Sequence, residues 1–136
     1  MHKLLAAFLL SVVAVLCQEN ASWVVSTPSA RWSPRGCGKT TVALGNNVYI
    51  CGGTNGSVAF NDVWISSGGS SWSLVNANAS FGARSGACVT SSSPRLLLVG
   101  GERRTNGGDA TEYLSDVWDS SDGCESLSSV VLTADL

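Results

Sequence analysis

The sequence has few charged residues, and this shortage excludes two kinds of partner. Only 13% of the 136 residues are charged, with eight Lys and Arg against ten Asp and Glu. Nucleic acids and anionic membranes bind proteins through clustered Lys and Arg, because those side chains neutralise phosphates. The pair Arg103 and Arg104 is too small to form such a cluster. We therefore predict no nucleic-acid partner, and no membrane partner for the mature chain.

Histidine is almost absent, which limits the chemistry that the chain can perform. The only histidine is His2, at the extreme N-terminus. A nucleophilic cysteine usually needs a neighbouring base, most often histidine. Zinc sites are built from histidines or from closely spaced cysteine pairs, and no two cysteines here have the C-x-x-C spacing. The sequence predicts no metal, no cofactor and no catalytic residue.

The N-terminal segment is hydrophobic but too short to cross a bilayer. His2 and Lys3 precede a run without charged residues from position 4 to 16. A membrane-spanning helix needs about 20 residues, whereas a short apolar run after a basic residue is typical of a secretory signal peptide. We predict that residues 1–17 are a signal peptide, cleaved near Cys17, and that the protein is secreted.

Three N-x-S sequons follow the predicted signal peptide, at Asn20, Asn55 and Asn78. In a secreted protein such sequons mark exposed loops that accept N-linked glycans. We therefore predict a glycoprotein.

Four cysteines remain after the predicted cleavage: Cys37, Cys51, Cys88 and Cys124. An even number is compatible with disulfides in an oxidising compartment. Four cysteines allow three connectivities, and the sequence does not choose among them.

The chain repeats itself with a period near 50 residues, first over 35–76 and then over 84–123. An arginine opens each unit, a glycine doublet follows an apolar segment, and Asp-Val-Trp comes after the next loop. The corresponding residues are Arg35 and Arg84, Gly52-Gly53 and Gly100-Gly101, and Asp62-Val63-Trp64 and Asp116-Val117-Trp118. A period of this length predicts a repeat architecture.

Strand signals follow one another within each unit. In the first unit "TTVAL" and "VYICGG" are separated by Gly45, Asn46 and Asn47, a hairpin signal, and "NDVWIS" and "SWSLV" come next. Four short antiparallel strands, a glycine doublet and a Trp in the fourth strand resemble a kelch repeat, the blade of a β-propeller. The resemblance implies an all-β fold of about two blades.

The two ends of the chain depart from a complete propeller. Residues 18–34 contain "SWVVST", which resembles a lone fourth strand and is a candidate closing strand for another blade. The second unit has signals for only three strands, and the tail 124–136 diverges from the repeat. Propellers have about 4 to 8 blades, so we expect an incomplete propeller and a fragment of a larger protein.

The repeated positions are interpreted as structural. The glycine doublets are expected to end an inner strand where a side chain would obstruct the neighbouring backbone. Asp62 and Asp116 are expected to be turn residues that bond to backbone. The equivalent arginines have a structural role, and the tryptophans Trp23, Trp64, Trp72 and Trp118 pack between blades. Trp32 lies outside the repeat, as either an exposed recognition residue or a loop anchor.

Function is expected in the loops, because loops on a rigid scaffold carry binding residues. We predict a secreted interaction module that binds protein or glycan through residues 54–61 and 102–114. The candidate binding residues are Asn55, Phe60, Arg103, Arg104 and Asp109.

An enzyme is the alternative that the sequence leaves open. The related copper oxidases of the galactose oxidase type bind copper through histidine and tyrosine, and only Tyr49 and Tyr113 are available after cleavage. In this alternative the chain is the N-terminal fragment of a secreted glycan-active propeller enzyme whose catalytic blades are missing.

Overall fold

The computed structural model describes residues 23–105 and 110–122, and the backbone of 128–130. These residues form strands and turns without a helix, which confirms the predicted all-β class. The strands are β1 (Thr41–Leu44), β2 (Asn47–Thr54), β3 (Ala59–Ser66), β4 (Ser73–Asn76), β5 (Cys88–Ser92), β6 (Arg95–Arg104), β7 (Thr111–Ser120) and β8 (Ser128–Val130).

The strands form two antiparallel sheets in simple sequence order. The first sheet has the order β1-β2-β3-β4, and the second has the order β5-β6-β7-β8. The first hairpin is tight, because Leu44 lies opposite Asn47, and Gly45 adopts a φ of 59° in the two-residue turn. Each sheet is thus one four-stranded blade, and the described residues form two of them.

The core lies between the two sheets. Successive side chains in a strand point to opposite faces, so alternate residues of β2 and β3 turn towards the second sheet. These residues bury against alternate residues of β6 and against the segment that joins the sheets. The buried cluster consists of Tyr49, Cys51, Val63, Ala79, Phe81, Ala87, Leu96 and Leu98. One backbone hydrogen bond also joins the blades, from the N–H of Val89 to the carbonyl oxygen of Lys39 at 3.0 Å.

The second sheet is more complete than the sequence predicted. Strand β8 pairs with β7, with Val130 opposite Val117 and Ser128 opposite Asp119. The expectation of a three-stranded second unit ending at residue 123 is therefore wrong. The prediction relied on a tryptophan like Trp72 to mark the fourth strand, but backbone pairing to β7 requires no particular side chain.

The N-terminal segment does not form the expected strand. Residues 23–26 are not paired in a sheet, and the side chains of Trp23 and Val24 are fully or largely exposed. A closing strand needs a free sheet edge of a blade to pair with, and residues 23–26 pair with neither of the two described sheets. Trp23 therefore does not pack between blades here. The signal peptide and Asn20 lie outside the described residues.

The described cysteines differ in environment. Cys37 is half-buried, Cys88 is exposed, and both are free thiols. Cys51 is buried in the core between the sheets, and Cys124 lies outside the described residues. A disulfide between Cys37 and Cys88 is therefore not formed. Across the described residues, no helix is long and apolar enough to span a membrane.

Candidate binding groove

The glycine doublets bend the strands that carry the loops. Gly52 and Gly100 adopt φ values of 71° and 58°, which favour glycine. A Cβ on Gly52 would lie 2.7 Å from the carbonyl oxygen of Phe60, and one on Gly100 would lie 2.8 Å from that of Leu114. The sheet register shifts at both doublets, as in a β-bulge.

The doublets do not end the strands, contrary to the sequence-based expectation. Strand β2 continues to Thr54 and β6 continues to Arg104, so each strand extends beyond its bulge. The expectation took glycine as a strand terminator, whereas the backbone resumes pairing on the far side of the bulge. The two strand ends beyond the bulges carry the loops that border the groove described below.

A buried arginine holds each bulge in place. In the first blade, Arg35 donates to both carboxylate oxygens of Asp62, with Nη2 to Oδ2 at 2.8 Å, and to the carbonyl oxygen of Gly52 at 3.1 Å. Its guanidinium lies 3.9 Å from the ring centre of Phe60. The side chain is almost fully buried, so its charge depends on these partners.

The second blade repeats the arrangement. Arg84 donates to both carboxylate oxygens of Asp116, at 2.6 and 2.9 Å, and to the carbonyl oxygen of Gly100 at 2.9 Å. It also donates to the carbonyl oxygen of Phe81. A bidentate arginine–carboxylate pair fixes direction as well as charge. Each blade therefore ties its first strand segment, its bulge and its third strand together through one arginine.

The sequence suggested that the two aspartates are turn residues, and this expectation is wrong. Asp62 and Asp116 lie within β3 and β7, and each also accepts a hydrogen bond at 2.7 Å from the indole N–H two residues later. Sequence reasoning missed this role because Arg35 and Arg84 are 27 and 32 residues away along the chain. The tryptophans Trp64 and Trp118 thus orient carboxylates in addition to packing.

Electrostatics keeps both carboxylates ionised. Burial disfavours the charged form of Asp62, but hydrogen bonds from Arg35 and Trp64 outweigh it and hold the pKa of this carboxyl below its ordinary value. The hydrogen bond from Arg84 lowers the pKa of Asp116, against the opposing effect of burial. A general acid must hold a proton near neutral pH. These two paired carboxylates are therefore framework groups.

The predicted binding residues differ in where they lie. Phe60 is half-buried in β3 beneath the guanidinium of Arg35, so it belongs to the framework. Asn55 organises its own loop, because its Oδ1 accepts hydrogen bonds from the backbone N–H groups of Ser57 and Val58 at 3.0 and 2.8 Å. Asp109 lies outside the described residues.

The two predicted arginines lie on the end of β6 and differ in their partners. Arg103 donates from Nε to Oε2 of Glu112 at 2.7 Å, and this carboxylate raises the pKa of the guanidinium. Arg104 is exposed, and among the described residues it forms no ion pair. Arg104 is therefore the available cation at this end of the second blade.

The two predicted loops border one groove of about 540 Å³. Thr54 and residues 56–59 of the first blade form one wall, and residues 102–104 with Thr111 of the second blade form the other. Ala83 and Ser85, from the segment that joins the blades, lie between them. The tertiary structure thus brings Arg103 and Arg104 close to the loop of Asn55, but it leaves Phe60 outside.

A second, smaller recess lies beside the N-terminal segment. The rings of Trp32 and Trp72 pack edge to face, with centroids 6.0 Å apart at 85°. Thr27 donates to the carbonyl oxygens of Gly69 and Ser70 at 3.0 and 2.6 Å, which holds this segment against the β3–β4 turn. Trp32 is partly buried, as an anchor of the loop would be.

The remaining candidates are easily placed. Asn55 and Asn78 are exposed, and Asn78 accepts a hydrogen bond from the side-chain amide of Asn61. Within the described part of the chain, no three His, Cys, Asp or Glu side chains are grouped in a way that could hold a metal ion.

Comparison with known families agrees with this geometry. Residues 35–65 match the family model of the kelch motif. The matched residues run from the buried Arg35 through the Gly52 bulge almost to the end of β3. The chain contains a kelch motif over these residues. Kelch repeats form the blades of β-propellers and generally mediate protein interactions. No curated protein matches the chain.

Proposed function

We propose that this kelch-repeat chain is a secreted interaction module that binds a segment of a partner protein in the groove between its two blades. One observation supports the proposal above others: an exposed apolar side chain and an available cation converge on the same groove. Val58 is 53% exposed on the first wall, and Arg104 lies on the second. Rigid strands support both walls, as binding loops require.

The side chains of the groove favour a partner with a negative charge beside an apolar group. Glu102 accepts a hydrogen bond from the hydroxyl of Ser85 at 3.2 Å, and Arg103 is neutralised by Glu112. Arg104 is left to pair with a carboxylate of the partner, because arginine binds carboxylates in a bidentate manner. Val58 would cover an apolar side chain of the same segment.

The first wall is preorganised, which lowers the entropy cost of binding. Asn55 closes the loop through its side chain, and its backbone N–H also donates to the carbonyl oxygen of Val58 at 3.1 Å. Thr54 adds a hydrogen bond from its hydroxyl to the same oxygen at 3.0 Å. A loop held at both ends presents Val58 in one position before the partner arrives.

Secretion is part of the proposal. The predicted signal peptide and the exposed sequons at Asn55 and Asn78 support it. Asn55 lies between Thr54 and Gly56, which both line the groove, so a glycan on Asn55 would border the bound segment. Occupancy of this sequon would then modulate access to the groove.

A peptide array with a matched pair of variants tests the proposal. The secreted wild-type chain is applied to peptides that combine acidic and apolar residues, and to a glycan array. Arg104→Glu should weaken binding of the selected peptides by about tenfold or more, because it replaces an attractive charge with a repulsive one. Arg31→Glu is the control, since Arg31 is exposed outside the groove.

Two outcomes would contradict the proposal. If Arg104→Glu and Val58→Asp both bind the selected peptides as the wild type does, the groove is not the site. If the chain binds glycans and no peptide, the partner class is glycan and the protein-binding proposal is wrong.

A further inference from the structure

The packing between the two blades uses opposite faces of the repeat. From the first sheet, Cys51 and Val63 are directly paired across β2 and β3 and are buried against the second sheet. From the second sheet, Leu98 and Trp118 are directly paired across β6 and β7 and pack into the same core. One face of the first blade therefore covers the opposite face of the second.

The second blade carries the equivalent of the buried face, and the residues that the structure describes leave it only partly covered. Counting from the bulges, Val99 and Val117 are the equivalents of Cys51 and Val63, and they too are directly paired. Cys51 is 3% exposed, whereas Val99 is 42% exposed. Cys88 lies opposite Val99 on β5 and is also exposed. We call this row of Cys88, Val99 and Val117 the open face of the second blade.

The first blade has the matching face on its far side. Ile50, Trp64 and Leu74 lie opposite one another across three strands, and Ile50 and Trp64 are the equivalents of Leu98 and Trp118. Ile50 is already buried, Trp64 is half-buried, and Leu74 is 48% exposed. We call this row the open face of the first blade.

We propose that a second copy of this chain covers the open face of the second blade, with the open face of its own first blade. The contact would continue the interface that already joins the two blades within one chain, since it pairs equivalent residues in the same way. No residue of either row is charged. The charges beside Val117, those of Asp119 and Arg95, are paired with each other, so they do not oppose the contact.

This arrangement predicts a head-to-tail assembly. The two faces in contact are different, so a copy that binds one neighbour still has a second face free to bind another copy. The assembly closes into a ring only if the rotation between successive copies allows it. Propellers close with about 4 to 8 blades, so units that each supply the two described blades would close a ring with about two to four units. The groove borders the loops and lies outside both rows, so this inference does not rest on the proposed function.

Sedimentation of the full secreted chain at increasing concentrations is the first test. We expect the deglycosylated protein to sediment with at least twice the mass of one processed chain, and that single-chain mass lies below the 14.0 kDa of all 136 residues because the signal peptide is removed. A mass of a single chain at every concentration would overturn the proposal. This measurement needs no variant, so it stays decisive even where a substitution impairs folding.

Two variants and a control then locate the contact. Val99→Asp should raise the dissociation constant between copies about 100-fold, because a charge would be buried without a partner. Val99→Thr, which keeps the branched shape, should raise it about tenfold. Val58→Asp is the matched control, because Val58 is similarly exposed but lies on the groove, and it should associate like the wild type. Association of Val99→Asp that equals that of Val58→Asp would overturn the proposal.

A mixing experiment separates head-to-tail from symmetric association. Val99→Asp and Leu74→Asp each spoil one of the two faces, so each alone should be a single chain. Mixed together, the intact face of one variant meets the intact face of the other, and a two-chain complex should form. A symmetric contact between two copies of the Val99 face would instead leave Leu74→Asp associated and the mixture without a new complex, which would overturn the head-to-tail assembly. Circular dichroism of each variant verifies its fold.

Discussion

Replacing one glycine of a doublet tests whether the bulge needs space as well as an unusual backbone angle. Gly100 and Gly45 have nearly the same φ, 58° and 59°. A Cβ on Gly45 would meet no heavy atom within 4 Å, whereas one on Gly100 would lie 2.8 Å from the carbonyl oxygen of Leu114. Gly100→Ala and Gly45→Ala therefore share the backbone strain and differ in the steric clash.

The expected magnitudes follow from these distances. An alanine in the left-handed region costs about 1 kcal/mol, partly offset by the reduced freedom of the unfolded chain, and both variants share this cost. For Gly100→Ala the backbone of β7 must also move by several tenths of an ångström, which costs about 1 to 3 kcal/mol more. Such a difference is a large part of the 5 to 15 kcal/mol of a typical domain, so about 2 kcal/mol between the two variants should be measurable.

Urea unfolding followed by tryptophan fluorescence measures both free energies of unfolding in the same buffer. Thermal melting by circular dichroism gives an independent comparison, and we expect Gly100→Ala to melt about 5 to 10 °C below Gly45→Ala. Equal destabilisation of the two variants would refute the steric reasoning, because the doublet would then be required only for its backbone angles.

Three further predictions concern the framework and the surface. The pKa of Asp116 is lowered in the folded state, so the ionised carboxylate stabilises the fold above about pH 4, and this stabilisation is lost as the pH falls through the folded pKa. In urea unfolding, the free energy of unfolding of Asp116→Asn should therefore fall less steeply than that of the wild type between about pH 5 and pH 2. Cys51→Val should destabilise the fold by about 1 to 3 kcal/mol, because Cys51 is 3% exposed in the core and valine is bulkier, whereas the equivalent Val99 is 42% exposed and has room; an unchanged free energy of unfolding would contradict tight packing at this position. Expression in eukaryotic cells should release a glycosidase-sensitive protein, and Asn78→Gln should increase its electrophoretic mobility; retention inside the cell would contradict secretion.

The repeat could be predicted from the sequence because its signals are local. The apolar segments, the Gly45 turn and the glycine doublets all depend on residues within a few positions of one another, and they identify both blades and most of their strands. The fourth strand of the second blade could not be predicted, since β8 is defined by backbone pairing with β7 and not by its side chains. The N-terminal segment was predicted as a strand from its side chains alone, but residues 23–26 pair with neither described sheet.

The candidate site could be predicted only in part. Loop position was enough to select the segments of Asn55 and of Arg103 and Arg104, which the structure brings to one groove. It was misleading for Phe60, because its ring is covered by an arginine 25 positions earlier in the sequence, and no local signal shows that contact. Val58 was missed, since a single valine in a polar loop becomes informative only when the opposite wall is known.

The sequence by itself determined that the chain is built from kelch-type blades, because a repeat records the same local requirements twice. Those requirements are an arginine, a glycine doublet where no side chain fits, and an Asp-Val-Trp segment. Only the tertiary structure decided what these residues do together: Arg35 and Arg84 bind the aspartates and the bulge carbonyls at once. It also decided which face of each blade is covered, because burial depends on the neighbouring sheet and not on the residue itself. Val99 and Cys51 occupy the same place in the repeat, yet one is exposed and the other lies in the core.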